Sequence, residues 1–300
     1  MSDKTKIEWS DATWNPVTGC TKVSEGCRHC YAATFAERWR GTPGHYFENG
    51  FDLTLRPDKL DQPLRWTKPR KIFVNSMSDL FHKDIPDEFI RKVWEVMVAC
   101  PRHTFQVLTK RPERMREWVS VHGVEISGGK PASNIWLGTS VENQKAADER
   151  IPLLLQTPAA IRFLSCEPLL GSVNLNQIKV PNDKREFHLS ALQEQHDDCF
   201  YNAPSTIDWV ITGGESGHGA RPMHPDWARN LRDQCQAVGV AYFFKQWGEW
   251  APEENYPDYI PSGTSYDFTN ETVWKVGKKS AGRLLDGREW NEFPREKEIE

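Results

Sequence analysis

The chain's 300 residues, 38% of them hydrophobic, are enough to bury one large core, or a core with an appendage. No apolar run reaches the length of a membrane span, so a soluble globular protein without membrane partners is expected. A formal net charge of -4 excludes wholesale coating of DNA and leaves room for a local basic groove.

Two short extended segments are expected first, over residues 7–9 and 14–17, the second broken by Asn15-Pro16. The stretch from Trp14 to Tyr31 then carries Cys20, Cys27 and Cys30, with six residues between the first two and two between the last pair. Thiolates packed so closely repel unless a cation shares their charge, and a C-x-x-C pair aims both sulfurs at one centre. A structural zinc site takes four protein ligands, and no second C-x-x-C or His pair supplies the fourth. Cys100, Cys166, Cys199 and Cys235 stand isolated. A three-cysteine iron-sulfur cube leaves one iron open for a cofactor or substrate. A zinc loop and a disulfide with one spare thiol are the alternatives. Met1-Ser2-Asp3-Lys4 carries no apolar signal segment, so a reducing, cytoplasmic setting is expected, which weakens the disulfide.

A helix over 31–40 is predicted with Tyr31, Phe35 and Trp39 on one face, followed by a loop over 41–50, a strand over 53–55 and a helix starting over 57–64. From residue 71 a unit repeats. Apolar strands over 71–74, 104–108, 134–138, 160–164, 207–211 and 241–244 alternate with helices over 86–99, 112–119, 145–155 and 225–237. Near-continuous apolar strands separated by helices mean parallel pairing through right-handed crossovers. The expectation is an α/β fold, a partial or full TIM-like (β/α) barrel of six to seven parallel strands, occupying 1–250 with a polar insertion near 174–206. Residues 251–300 are expected to form a small C-terminal β appendage, with short strands over 273–276 and 283–287.

Each strand hands over to polar residues at its carboxyl end, where such barrels place their sites. That mouth gathers Asn75, Ser76, Ser78, Asp79, Lys110, Arg111, Ser140, Glu142, Glu167, Glu215 and Lys245. Ser and Asp there also serve as helix N-caps. Glu167 before Pro168 and Glu215 after Gly213-Gly214 are poorer caps and stand as catalytic candidates. Cys166 is either a hydrogen-atom donor or a small apolar filler. Lys110, Arg111 and Lys245 either bind an anionic substrate, such as a nucleotide or nucleic-acid phosphate, or pair with Glu142, Glu167 and Glu215.

These features resemble the radical S-adenosylmethionine superfamily: three clustered cysteines ahead of a helix, after the first strand of a β/α barrel. More closely, Trp14-Asn15-Pro16, Leu108-Thr109-Lys110-Arg111-Pro112, Gly138-Thr139-Ser140-Val141-Glu142, Ser165-Cys166-Glu167-Pro168, Gly213-Gly214-Glu215-Ser216-Gly217 and Phe243-Phe244-Lys245-Gln246-Trp247-Gly248 resemble an uncharacterised phage and prophage family with a three-cysteine motif. The likeness runs from Ile7 to Pro294 and fades over 174–206. One departure is the longer first cysteine gap, with His29 where an aromatic residue usually precedes the third cysteine.

The resemblance implies a [4Fe-4S] cluster on Cys20, Cys27 and Cys30, with S-adenosylmethionine on the open iron and an electron donor as partner. It implies that residues 75–79, including Asn75, Ser76, Ser78 and Asp79, meet the methionine ammonium, and that Ser140 and Glu142 hold the ribose hydroxyls. Gly213 and Gly214 would let backbone approach the adenine or methionyl part. Release of a 5'-deoxyadenosyl radical would then act on a nucleotide or nucleic-acid substrate, in modification or repair. The alternative is a non-catalytic barrel, stabilised by zinc or an iron-sulfur group, that binds a phage or host protein.

Overall fold

The computed structural model describes residues 5–180, 187–193, 206–256 and 261–295. Seven strands form the main sheet: β1 (Ala12–Trp14), β2 (Lys71–Val74), β3 (Thr104–Thr109), β4 (Ile135–Ser140), β5 (Ile161–Cys166), β6 (Trp209–Gly213) and β7 (Ala241–Gln246). They hydrogen-bond in chain order from β1 to β7, all parallel, with β1 and β7 as the two edges. A strand order without reversal is that of a (β/α) barrel and lacks the switch point of a doubly wound sheet. The mixed α/β class and the seven-strand parallel sheet are thus as expected, in the open and not the closed form. By its contacts the chain divides into two compact units, residues 5–139 with 156–162, and residues 140–155 with 163–295.

In the first unit, Trp14, Val74, Val107 and Leu137 lie in register across β1 to β4 and are all buried. Helix α2 (Asp87–Val98) follows β2; it carries Asp87 and Glu88 in its first turn, where acids suit the helix dipole, and buries Phe89, Ile90, Val93, Trp94 and Met97. Helix α3 (Pro112–Trp118) follows β3 and begins on proline, which has no N–H to leave unpaired there.

Three local expectations are corrected in this unit. Residues 7–9 are not a strand: Ser10 N donates to Ile7 O, and Trp9 is buried against Phe73 at 4.7 Å between ring centroids. The helix expected over 57–64 is two short 3-10 turns, Pro57–Lys59 and Pro63–Arg65. Pro63 lacks the N–H that would carry one helix through. Helix α1 (Tyr31–Glu37) turns Tyr31 and Phe35 outward, 58% and 45% exposed, and buries Ala32 and Ala36 against Phe47 and Met77 instead. Small alanines allow close approach, and Phe47 supplies the volume the helix does not. Val17–Thr18 pairs antiparallel with Thr54–Leu55, as the 53–55 strand requires.

In the second unit, Leu164, Val210 and Tyr242 are in register across β5 to β7 and buried. Helix α4 (Gln144–Leu155) precedes β5, and α5 (Pro225–Val238) lies between β6 and β7. The His224 side chain accepts from Asp226 N to cap α5, which ends on Gly239 at φ 73. Within the 174–206 insertion, Ile178–Val180 and Phe187–Leu189 form an antiparallel pair; residues 181–186 and 194–205 lie outside the described residues, Cys199 among them.

The tail forms a three-stranded antiparallel sheet of Trp250–Pro252, Thr272–Lys275 and Ser265–Asp267. The strand expected over 283–287 is a turn, closed by a bridge between Leu285 and Arg288. Beyond it the chain returns along β7: Phe244 N donates to Trp290 O, and Glu292 N donates to Tyr242 O. Covering an edge in this way satisfies backbone groups that would otherwise template foreign strands. Among the described residues no helix is long and apolar enough to cross a membrane.

Candidate functional site

In the first unit, the loop after β1 and the loop after β2 are sewn together. Asn15 Oδ1 accepts from Met77 N at 2.9 Å and from Ser76 Oγ at 3.2 Å. Ser78 Oγ donates to Val17 O at 2.8 Å, and Gly19 N donates to Met77 O at 2.9 Å. Past the third cysteine, Tyr31 Oη donates to Ser76 O at 2.6 Å. Gly19 has φ 85, and a Cβ there would lie 2.2 Å from Asp52 O, so only glycine delivers the chain to Cys20. Residues 75–79 thus hold both flanks of the cysteine loop.

Cys20, Cys27 and Cys30 are partly exposed, unpaired thiols. Their nearest partners differ, while Cys27 lies close enough to Cys20 to act on its charge. Cys20 Sγ accepts from Arg111 Nη1 at 3.4 Å; Cys27 Sγ lies 3.9 Å from Ser24 Oγ; Cys30 packs on the Ala32, Ala36, Phe47 and Met77 cluster. Among the described residues no three His, Cys, Asp or Glu side chains are arranged to hold a metal ion. Burial pushes the Cys20 thiol up, against the opposing pull of Arg111.

Asp79 is a buried hub. Its Oδ1 accepts from Thr109 Oγ1 at 2.7 Å and Phe81 N at 3.0 Å; its Oδ2 accepts from Arg111 Nη1 at 2.8 Å and Lys110 N at 3.1 Å. Arg111 also donates to Thr21 O at 2.9 Å and Thr21 Oγ1 at 3.1 Å, and Thr21 Oγ1 bonds His82 Nε2 at 2.8 Å. Burial alone would lower the Arg111 pKa; the charges of Asp79 and Cys20 outweigh it and leave the guanidinium above its ordinary value. Arg111 therefore pairs with Asp79 and with none of the three glutamates proposed from the sequence. Lys110 forms no ion pair among the described residues.

Asn75 differs from its neighbours. It sits at φ 58, in the left-handed region, is 2% exposed, and has partners for neither Oδ1 nor Nδ2. A buried amide with both ends unmatched is costly unless a ligand supplies a donor and an acceptor.

In the second unit, each of the three glutamates has its own cation or amide. Arg150 Nη1 donates to Glu142 Oε2 at 2.6 Å and to Ser140 O at 2.8 Å, inside the fold. Lys245 Nζ reaches both Glu167 oxygens at 2.8 Å, and Gln246 Nε2 donates to Glu167 Oε1 at 3.0 Å and Ser216 Oγ at 3.0 Å. Arg221 grips Glu215 through Nε at 2.9 Å, Nη2 at 2.7 Å and its backbone N at 2.9 Å. Of the ion pairs weighed from sequence, Lys245 with Glu167 is the one that forms. Cys166 is fully buried, and burial pushes its thiol far above the ordinary range. Gly214 is required for packing: a Cβ would meet Trp247 O at 1.9 Å.

Arg150, Arg221, Thr21 and His82 were not singled out in the sequence. Their separations from their partners match no motif, so nothing in the chain marks them. Thr109 and Gln246 were legible, since they stand inside Leu108-Thr109-Lys110-Arg111-Pro112 and Phe243-Phe244-Lys245-Gln246-Trp247-Gly248.

Residues 4–294 match the model of a family described as protein of unknown function, DUF5131, and the chain belongs to that family. No curated protein and no solved structure matches it.

Proposed function

We propose that this DUF5131 member is a radical S-adenosylmethionine enzyme, with Cys20, Cys27 and Cys30 as ligands of a [4Fe-4S] cluster. The donor chemistry fits: three thiols on one loop, none in a disulfide. In a cubane each thiolate takes a different iron, so the ligands surround a volume and need not converge on one point. When bound and reduced by one electron, such a cluster cleaves the sulfonium–carbon bond of S-adenosylmethionine, giving methionine and a 5'-deoxyadenosyl radical that abstracts hydrogen from substrate.

The observation that carries the proposal is Asn75. Its unmatched Nδ2 and Oδ1 lie in the segment sewn to both flanks of the cysteine loop. An aminoacyl group offers the missing pair, carboxylate for Nδ2 and ammonium for Oδ1. Asp79, already accepting four hydrogen bonds, holds the loop's geometry and leaves the ligand contact to Asn75. Glu142, locked to Arg150, has no role assigned in ribose binding. Lys110, which no ion pair occupies among the described residues, is the cation available for a phosphate of a nucleotide or nucleic-acid substrate.

Protein purified without oxygen should be brown and hold about four irons per chain. With dithionite and S-adenosylmethionine it should form 5'-deoxyadenosine. Cys27→Ala should abolish both, whereas Asn75→Ala should keep the iron and weaken S-adenosylmethionine binding about a hundredfold, the worth of two charge-assisted hydrogen bonds. Colourless protein with a single zinc, or iron-loaded protein that makes no 5'-deoxyadenosine, would overturn the proposal.

A further inference from the structure

The Arg111 guanidinium is held more firmly than an ion pair alone requires. Its carboxylate partner is itself fixed, since Asp79 also accepts from Thr109 Oγ1, Phe81 N and Lys110 N. Its other nitrogen is fixed through Thr21, whose hydroxyl is in turn bonded to His82. The Arg111 backbone N donates to Thr109 Oγ1 at 2.9 Å, so the root of the side chain is anchored as well. What this frame delivers is an N–H, from Nη1, at 3.4 Å from Cys20 Sγ.

A thiol is a weak acceptor, so the contact gains little while Cys20 is protonated. A metal-ligating sulfur is a thiolate, and hydrogen bonds to ionised acceptors are about twice as strong as neutral ones. The arrangement is therefore suited to the ligated state of Cys20. The reduction potential of an iron-sulfur cluster depends on its net charge and on hydrogen bonds to its sulfurs. Reduction adds one negative charge, which a fixed neighbouring cation stabilises more than the oxidised state.

We infer that Arg111 is a positioning residue for Cys20 that sets the direction of this ligand and raises the cluster's midpoint potential. Asp79, Thr21 and His82 serve to hold it. The inference rests on the cluster assignment above. Substrate phosphate is correspondingly not the partner of Arg111, because its donors are already directed at Asp79, Thr21 and Cys20.

The test is a redox titration of the loaded protein with dithionite and mediators, followed by the electron paramagnetic resonance signal of the reduced cluster. Arg111→Met should shift the midpoint to more negative potential at unchanged iron content. Arg111→Lys, a cation without the second nitrogen that anchors the group to Thr21, should fall between Met and wild type. The Asp79→Asn/Arg111→Met double variant removes the unpaired buried charge and should keep a smaller negative shift, because the opposing Asp79 charge goes with the cation while the N–H to Cys20 is still lost; it covers the case in which the single Met variant does not fold. Midpoints that coincide in wild type, Arg111→Lys and the double variant would overturn the role of Arg111 while the cluster stands. Wild-type protein that binds no iron would overturn the cluster itself, and this inference with it.

Discussion

Replacing Arg150 by Met should destabilise the protein by about 3–5 kcal/mol, because it breaks a buried ion pair from one side. Glu142 and Arg150 have side chains only 2% and 8% exposed, and the guanidinium holds the carboxylate at 2.6 Å while also donating to Ser140 O. The variant leaves a carboxylate without its cation in a medium that solvates it poorly, and a backbone carbonyl without that donor. Glu142→Leu/Arg150→Met removes both charges, and exchanging a buried pair for apolar groups is close to neutral. The double variant should therefore lie within about 2 kcal/mol of wild type. Urea unfolding followed by tryptophan fluorescence measures this. With a slope of about 3 kcal/mol per molar, the single variant's midpoint should fall by about 1–1.7 M. A loss below about 1 kcal/mol for Arg150→Met, or a double variant as unstable as the single, would show that Glu142 does not need Arg150 and would return it to consideration as a ligand-binding carboxylate.

Gly214→Ala should cost more than about 3 kcal/mol or prevent folding, since its Cβ would stand 1.9 Å from a backbone oxygen that cannot retreat. Gly239→Ala, at φ 73 with nothing within 4 Å, should cost only about 1 kcal/mol; equal thermal shifts for the two would refute the packing argument. Hydrogen bonds from Arg40, then from Phe51 N, lower the Glu37 carboxyl to about 2. A depressed carboxyl contributes stability that is present above its ordinary value and lost as pH falls through about 2. A carbon-detected NMR titration should find Glu37 titrating near that value, and Glu37→Gln should flatten the acid limb; titration at the ordinary carboxylate value would refute the clamp.

The parallel sheet was legible because burial on both faces leaves a plain record: Ile161–Cys166 and Trp209–Gly213 are near-continuous apolar runs that end in polar residues. Segments that bury only one side, or none, misled. Tyr31, Phe35 and Trp39 have helical spacing, yet the residues the helix buries are Ala32 and Ala36, with Phe35 only edging onto Phe47. Residues 283–287 read as a strand, yet their apolar residues fill a turn beside β7.

The candidate site divides in the same manner. Cysteine spacing and strand-end polarity are local properties, so the chain alone marked Cys20, Cys27, Cys30, Asn75, Asp79 and Arg111 as chemistry-bearing. Which charge faces which is not local. Asp79 and Arg111 meet because β2 and β3 are adjacent, in register from Lys71 with Thr104 onward, which brings their following loops side by side. Arg150 and Arg221 reach their glutamates only after the chain turns back, and that Asn75 is left unmatched shows only in the folded chain. Composition and periodicity decided the sheet and the inventory of reactive groups, since backbone pairing and burial act residue by residue. Pairing and orphaning of those groups waited on the tertiary fold, because Coulomb and hydrogen-bond energies depend on distances that sequence separation does not encode.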